Sequence, residues 1–177
     1  FKDSFKNSTK IKSIRFSPDS SIQSIEKDAF ANSSIVRIEL PSSLCDLKEG
    51  WCRKTPNLRS VTVMPKSNHF ICIDNKMLVG KSDQKSDEYD CLLFVRRDIE
   101  NISIPSFIKR ICAYSFSQTL IKSITIPSGV EHVCRSAFSW CKKLKSVEIP
   151  EDSHIKTIDE DAFKGCKIEN MAIPKKF

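Results

Sequence analysis

The stretch ITIPSGVEHVCRSAFSWCKKLKSVEIP, residues 124 to 150, decides how the whole chain is read. It opens and closes on the same device: two apolar residues two apart, then proline, at Ile124/Ile126/Pro127 and at Val147/Ile149/Pro150. An i, i+2 apolar pair among polar residues is a short, half-buried strand. Proline cannot donate to a strand ladder and so ends it. Between the two strands stand Val130, Val133, Phe138 behind Ala137, Cys141 and Leu144.

Working outward from Phe138, the same surroundings recur. Phe5, Phe30, Phe116 and Phe163 each follow a small residue. Five residues before the phenylalanine stand Ile25, Ile111, Val133 and Ile158, and eight before it Ile22, Ile108, Val130 and Ile155. Strand pairs follow at Ile14/Phe16, Ile38/Leu40, Ile124/Ile126, Val147/Ile149 and Met171/Ile173. A degenerate copy between Pro41 and Met64 keeps Leu44, Leu47, Leu58, Val61 and Val63 but reads Trp51-Cys52 where the others have a small residue and phenylalanine. One such unit cannot bury its own apolar faces, so the copies must stack. Their spacing of about 23 residues lies in the leucine-rich-repeat range. The two aliphatics ahead of the phenylalanine suit one wall of a turn or short helix. The expected fold is therefore an α/β repeat: a leucine-rich-repeat solenoid of about six coils, with short parallel strands and one irregular, hairpin-type repeat.

The pattern IPxxVxxIxxxAFxxCxxLxxIxIP, matched at almost every position by residues 124 to 150, resembles the BspA-like (Treponema pallidum-type) branch of leucine-rich repeats. The resemblance runs from residue 4 to 174. It implies a non-catalytic protein-binding module, displayed on a cell surface or secreted, of the kind used in adhesion and host–pathogen interaction, with a host or matrix protein as partner.

Residues 1–177 read as a single solenoid, with repeats at 1–64 and 102–177 and an irregular β-hairpin insertion at 65–101. Within that insertion Phe70 to Ile73 and Met77 to Val79 are apolar runs around Asp74-Asn75, a turn signal. Cys91 to Val95 makes a third run. Two or three antiparallel strands are expected, as a protruding pair, with the polar loop from Lys81 to Asp90 exposed and mobile. The chain starts and stops inside the repeat pattern, which reads as an excerpt or the natural end of a longer array.

The chain has 177 residues, 40% of them hydrophobic, enough to build a core rather than remain disordered. Its net charge of +7 is spread in pairs such as Arg96-Arg97 and Lys142-Lys143, so a solvated lysine-rich surface is favoured over a nucleic-acid footprint. No apolar run approaches the roughly 18 residues of a membrane span. None of His69, His132 and His154 has a catalytic or metal-binding partner at a recognised spacing, and there is no phosphate loop or nucleophile elbow. No enzyme, metal or cofactor is indicated, and no small-molecule substrate.

The outward strand positions fall in two columns. One reads Ser13, Arg37, Ser60, Asn101, Ser123, Ser146, Asn170, and the other Arg15, Glu39, Thr62, Ser103, Thr125, Glu148, Ala172. This polar, hydroxyl-lined face is the expected partner-binding surface, with plain solvated strands as the alternative. An intracellular scaffold, or a binder of anionic polysaccharide through the basic surface, remains open as a second reading.

Cys141 and Cys166 share the slot three after the phenylalanine, filled elsewhere by Ser8, Ser33, Thr55 and Thr119, and are expected to be packed thiols. Cys112 and Cys134 share a slot held elsewhere by Glu26, Lys48 and Asp159, which marks it as exposed. Adjacent coils at strand spacing, about 5 Å, would put these two within disulfide reach. Cys72 and Cys91 are a second candidate pair across the insertion. Asn7, Asn32 and Asn101 stand in glycosylation sequons.

Overall fold

The structure, a computed structural model, describes residues 4–175. Its strands are β1 (Ser13–Arg15), β2 (Ser24–Ile25), β3 (Arg37–Leu40), β4 (Asp46–Leu47), β5 (Ser60–Val63), β6 (Phe70–Ile73), β7 (Met77–Gly80), β8 (Cys91–Val95), β9 (Arg110–Ile111), β10 (Ser123–Thr125), β11 (His132–Val133), β12 (Ser146–Glu148), β13 (Thr157–Ile158) and β14 (Asn170–Ala172). The i, i+2 apolar pairs, four of the six closed directly by proline, form two three-stranded parallel sheets, β1-β3-β5 and β10-β12-β14. Their registers place Ser13 beside Arg37 beside Ser60, and Ser123 beside Ser146 beside Asn170. The chain is a β-solenoid.

No helix occurs among the described residues, so the helical half of the expected α/β unit is absent. Five residues before the phenylalanine a two-residue strand forms instead, at β2, β4, β9, β11 and β13. The reason lies in the turn. Left-handed residues flank the phenylalanine two positions away on each side: Asp28 and Asn32 around Phe30, Tyr114 and Gln118 around Phe116, Ser136 and Trp140 around Phe138, Asp161 and Gly165 around Phe163. A right-handed helix cannot propagate through residues of that hand.

The turns stack by hydrogen bonds between coils. Phe30 N–H reaches Trp51 O (2.9 Å) and Asn32 N–H reaches Arg53 O (3.2 Å); Phe116 reaches Ala137 O (2.8 Å), Gln118 Ser139 O (2.9 Å), Phe138 Ala162 O (2.8 Å) and Trp140 Lys164 O (2.6 Å). The rings follow the same ladder. Phe5 stacks on Phe30 at 5.4 Å, Phe116 on Phe138 at 4.6 Å and Phe138 on Phe163 at 5.0 Å. In the degenerate copy Gly50 and Lys54 carry the left-handed backbone, so Cys52 occupies the phenylalanine position and Trp51 turns its ring edge-on to Phe30 at 6.1 Å.

The insertion does not protrude. β6, β7 and β8 are antiparallel, and β8 joins β9 in parallel, making a six-stranded sheet in the order β13-β11-β9-β8-β7-β6. Side chains alternate between two cores. Met77, Val79, Leu92 and Val95 pack with Ile108, Phe116 and Phe138, while Phe70, Leu78 and Phe94 pack with Phe30, Trp51 and Leu58. The hairpin is a plate buried on both faces, which accounts for its continuous apolar runs. The 81–89 loop above it is largely exposed, and Asp90 ties its base by accepting from Ser82 N–H (2.8 Å) and Ser82 Oγ (2.6 Å).

Where the plate crosses the aromatic column, the ring of a regular coil is replaced by Phe94 and Arg97. Arg97 is 2% exposed. Its guanidinium lies 4.7 Å over the Phe94 ring and donates to the carbonyls of Ser115 (2.8 Å), Tyr114 (3.2 Å) and Val95 (3.4 Å), with Cys52 Sγ at 3.6 Å. No carboxylate pairs with it among the described residues. Burial pulls its pKa below the ordinary arginine value, but the group stays charged at any physiological pH.

Candidate functional site

The outward sheet positions form two separate fields. On the first, Ser13, Arg15 and Arg37 are exposed and Glu39, Ser60 and Thr62 half-buried; on the second, Ser123, Thr125 and Glu148 are exposed and Ser146 half-buried. Asn101 and Ser103 are exposed but belong to no strand. The plate has moved the preceding coil, so the expected seven-member column breaks into two sets of three with these residues along the edge of the second.

Much of the charge on these fields is satisfied across neighbouring strands. Arg15 pairs with Glu39 at 3.1 Å, and Thr125 Oγ1 donates to Glu148 at 3.0 Å. One slot upstream runs a charged column that the strand reading passed over. There Glu100 accepts from both Lys122 (2.8 Å) and Lys143 (3.2 Å), and Lys145 pairs with Glu169 (2.8 Å). Lys122 and Lys143 hold the Glu100 carboxyl below the usual range. The signal was present in the sequence as Lys12, Arg59, Glu100, Lys122, Lys145 and Glu169 at one repeat position, broken by Val36 in the second coil. Arg37 makes no ion pair among the described residues and is the most available charge on the first field.

All eight cysteines are free thiols. Cys141 and Cys166 donate to the carbonyls of Phe116 (3.0 Å) and Phe138 (3.1 Å), one coil back in each case, which is why that slot takes small donors. Cys112 and Cys134 follow β9 and β11 on adjacent coils, and Arg110 donates to Cys134 Sγ at 3.6 Å. Their slot is less open than its Glu, Lys and Asp members imply: both are half-buried. The Cys112 thiol is pushed well up by contact with the Cys91 thiol and by burial. Cys72 and Cys91 are not brought together. Cys72 is opposite Leu78 and donates to Val61 O (3.3 Å), whereas Cys91 is opposite Gly80, with β7 between them. Two strand spacings, about 10 Å, exceed disulfide reach.

The histidines serve local contacts. His69 Nδ1 meets Gln84 at 2.6 Å and His132 Nδ1 meets Thr157 Oγ1 at 3.0 Å. Among the described residues no helix is long and apolar enough to cross a membrane.

Comparison with known structures gives the same solenoid. The chain matches the pneumococcal vaccine antigen PcpA with a TM-score of 0.82 and 25% identity over 96% of its length and 43% of that chain. A leucine-rich cell surface protein of Faecalibacterium prausnitzii A2-165 matches with a TM-score of 0.69 and 25% identity, over 86% of this chain and 45% of that one. A leucine-rich repeat protein of Eubacterium ventriosum shares the fold, with a TM-score of 0.67 and 19% identity over 97% of this chain and 57% of that one. The chain thus spans about half the length of these proteins. No curated protein matches it in sequence. The family model for the BspA type leucine-rich repeat region matches in six copies over residues 2–81 and 92–177, and the chain belongs to that family.

Proposed function

We propose that the chain is a non-catalytic protein-binding module of a surface-displayed or secreted protein, with a host or extracellular-matrix protein as partner. The observation that carries this is the pair of parallel-sheet fields: exposed, polar, and rigid by repetition, they offer a surface whose side chains are positioned by the backbone ladder beneath them. Large anchoring aromatics are missing from the fields, so each contact is modest and affinity comes from many of them. The likeness to a vaccine antigen and to a cell surface protein supports the location.

The test is immobilised fibronectin or fibrinogen probed with the native chain, with Arg37→Glu and with Glu148→Lys. Binding that drops severalfold in both variants and survives 0.5 M salt supports the reading. Binding abolished by that salt points instead to an anionic polysaccharide, because exposed ion contacts are screened.

A further inference from the structure

On the turn side of the solenoid the ladder is interrupted. In regular coils the N–H two after the phenylalanine donates to the next coil, from Asn7, Asn32, Gln118 and Trp140. Lys54 holds the same position, with the same left-handed backbone, yet its N–H makes no such bond among the described residues. Across the gap Ser117 O, equivalent to the acceptors Arg53 O and Ser139 O, receives no donor among the described residues. The plate's turn after β8, closed by Ile99 N–H on Arg96 O (3.4 Å), makes no bond to Lys54 N–H or Ser117 O among the described residues. Val95 N–H and the Arg97 guanidinium serve Ser115 O and Tyr114 O from within, and they leave the outer row open.

Lys54 and Ser117 line one cavity of about 700 Å³, within the size range of ligand sites. Gln118, Arg135, Trp140 and Lys164 line it too. Gln118 Oε1 is buried without a partner among the described residues. Trp140 is 47% exposed, with its ring lying against Gly165. Most of the charge is compensated: Arg53 with Asp28, Lys164 with Asp161 (3.0 Å) and Arg135 with Glu160 (3.8 Å). Lys54 makes no ion pair among the described residues, so the notch is left positive.

We infer that this notch seats an acidic peptide loop of a partner protein, whose main chain takes the place of the missing rung. Its carbonyl accepts from Lys54 N–H, its N–H donates to Ser117 O, a donor side chain meets Gln118 Oε1, and a carboxylate meets Lys54 Nζ. Apart from Gly165 on the last coil, every other N–H of this row is met by peptide among the described residues, which favours peptide over a sugar. The inference rests on the protein-binding reading but places the contact opposite the sheet fields.

The experiment pans the native chain against a displayed library of disulfide-closed loops of eight random residues. Selected loops are then titrated into isotopically labelled protein, alongside sialyllactose. Expected are loops enriched in Asp and Glu that shift the Lys54 and Gln118 amides and the Trp140 indole. Lys54→Glu should weaken them at least tenfold, and the conservative Lys54→Arg should retain binding. Arg37→Glu, on the sheet field, should leave them unchanged, so failure here and failure of the sheet reading are told apart. Loops that map to the sheet, loops indifferent to Lys54→Glu, or sialyllactose alone shifting these amides would each overturn the inference.

Discussion

The guanidinium of Arg97 lies 4.7 Å over the ring of Phe94 and fills, between two blocks of stacked aromatics, the place a phenylalanine takes in a regular coil. Arg97→Ala removes both the volume and the donors to Tyr114 O and Ser115 O. It should cost about 3–5 kcal/mol, the range for a large core truncation or an unmatched buried polar site. Arg97→Met keeps most of the volume and sheds the burial cost of the charge, so it should cost clearly less. Urea unfolding of the two variants separates them, and equal losses would mean that the hydrogen bonds, not the filling, hold the column.

Phe138 has a ring on each side, at 4.6 and 5.0 Å, and is fully buried, whereas Phe163 is only half-buried. Phe138→Ala should destabilise by about 3–5 kcal/mol. Phe163→Ala should lose less, and thermal unfolding monitored by circular dichroism will rank them.

Asp28 accepts two hydrogen bonds from Arg53, one at 3.0 Å, and these hold its carboxyl below the ordinary value against opposing burial. Ser82 does the same for Asp90, although there burial is the larger single influence and opposes it. A depressed carboxyl stabilises the fold above its unfolded pKa, about 3.9, and loses that contribution as pH falls through the lower folded value. Stability should therefore be flat near neutrality and fall below about pH 4. In Asp28→Asn the decline should be shallower and the stability at pH 7 lower.

Gly165 has φ +75°, and a Cβ there would meet the Trp140 ring at 2.7 Å. Because Trp140 is half-exposed, its ring can swing away, so Gly165→Ala should cost about 1 kcal/mol, mainly from the left-handed backbone. Tryptophan emission should shift red as the indole moves into water. An unchanged emission spectrum would show that the backbone yields instead.

We propose that Cys112 can be bridged to Cys134 under oxidation, since they stand on adjacent coils, while Cys72 cannot be bridged to Cys91. The Cys91 thiol, which touches Cys112, is the competing partner, and a Cys91–Cys112 peptide in place of Cys112–Cys134 would refute the pairing. Non-reducing mass spectrometry after diamide treatment checks both: a Cys112–Cys134 peptide with Cys72 still alkylatable is the expected result, and both thiols of the first pair alkylated would refute it.

The repeat was legible because each copy obeys the same two periods, and registers such as Ile124 beside Val147 follow from aligning the sequence with itself. The segment was left open between a turn and a short helix, and the fold was written as α/β, because aliphatics three apart fit a helical wall as well as a short strand followed by a turn. What decides between them is the left-handed backbone, signalled by type at Asp28, Asn32, Asp161 and Gly165 but hidden at Tyr114, Ser136 and Trp140, and Ser136 and Trp140 belong to the copy from which the repeat is read. The plate was seen as strands but placed outside, since an apolar run says it is buried without saying between what. Arg97 was invisible: next to Arg96 it reads as surface charge, and only the absent phenylalanine, with Cys52 standing in its slot, marks the vacancy it fills. The sheet columns were read residue by residue, but their break at Asn101 depends on that same plate.

A solenoid normally frays from its ends, one coil at a time. Here Leu78 and Phe94 face one core while Met77 and Val95 face the other, so the hairpin is a party wall between two rooms. Neither room can be opened at that wall without exposing the other, and the middle of this array, usually no firmer than its neighbours, becomes the point through which the two halves melt together.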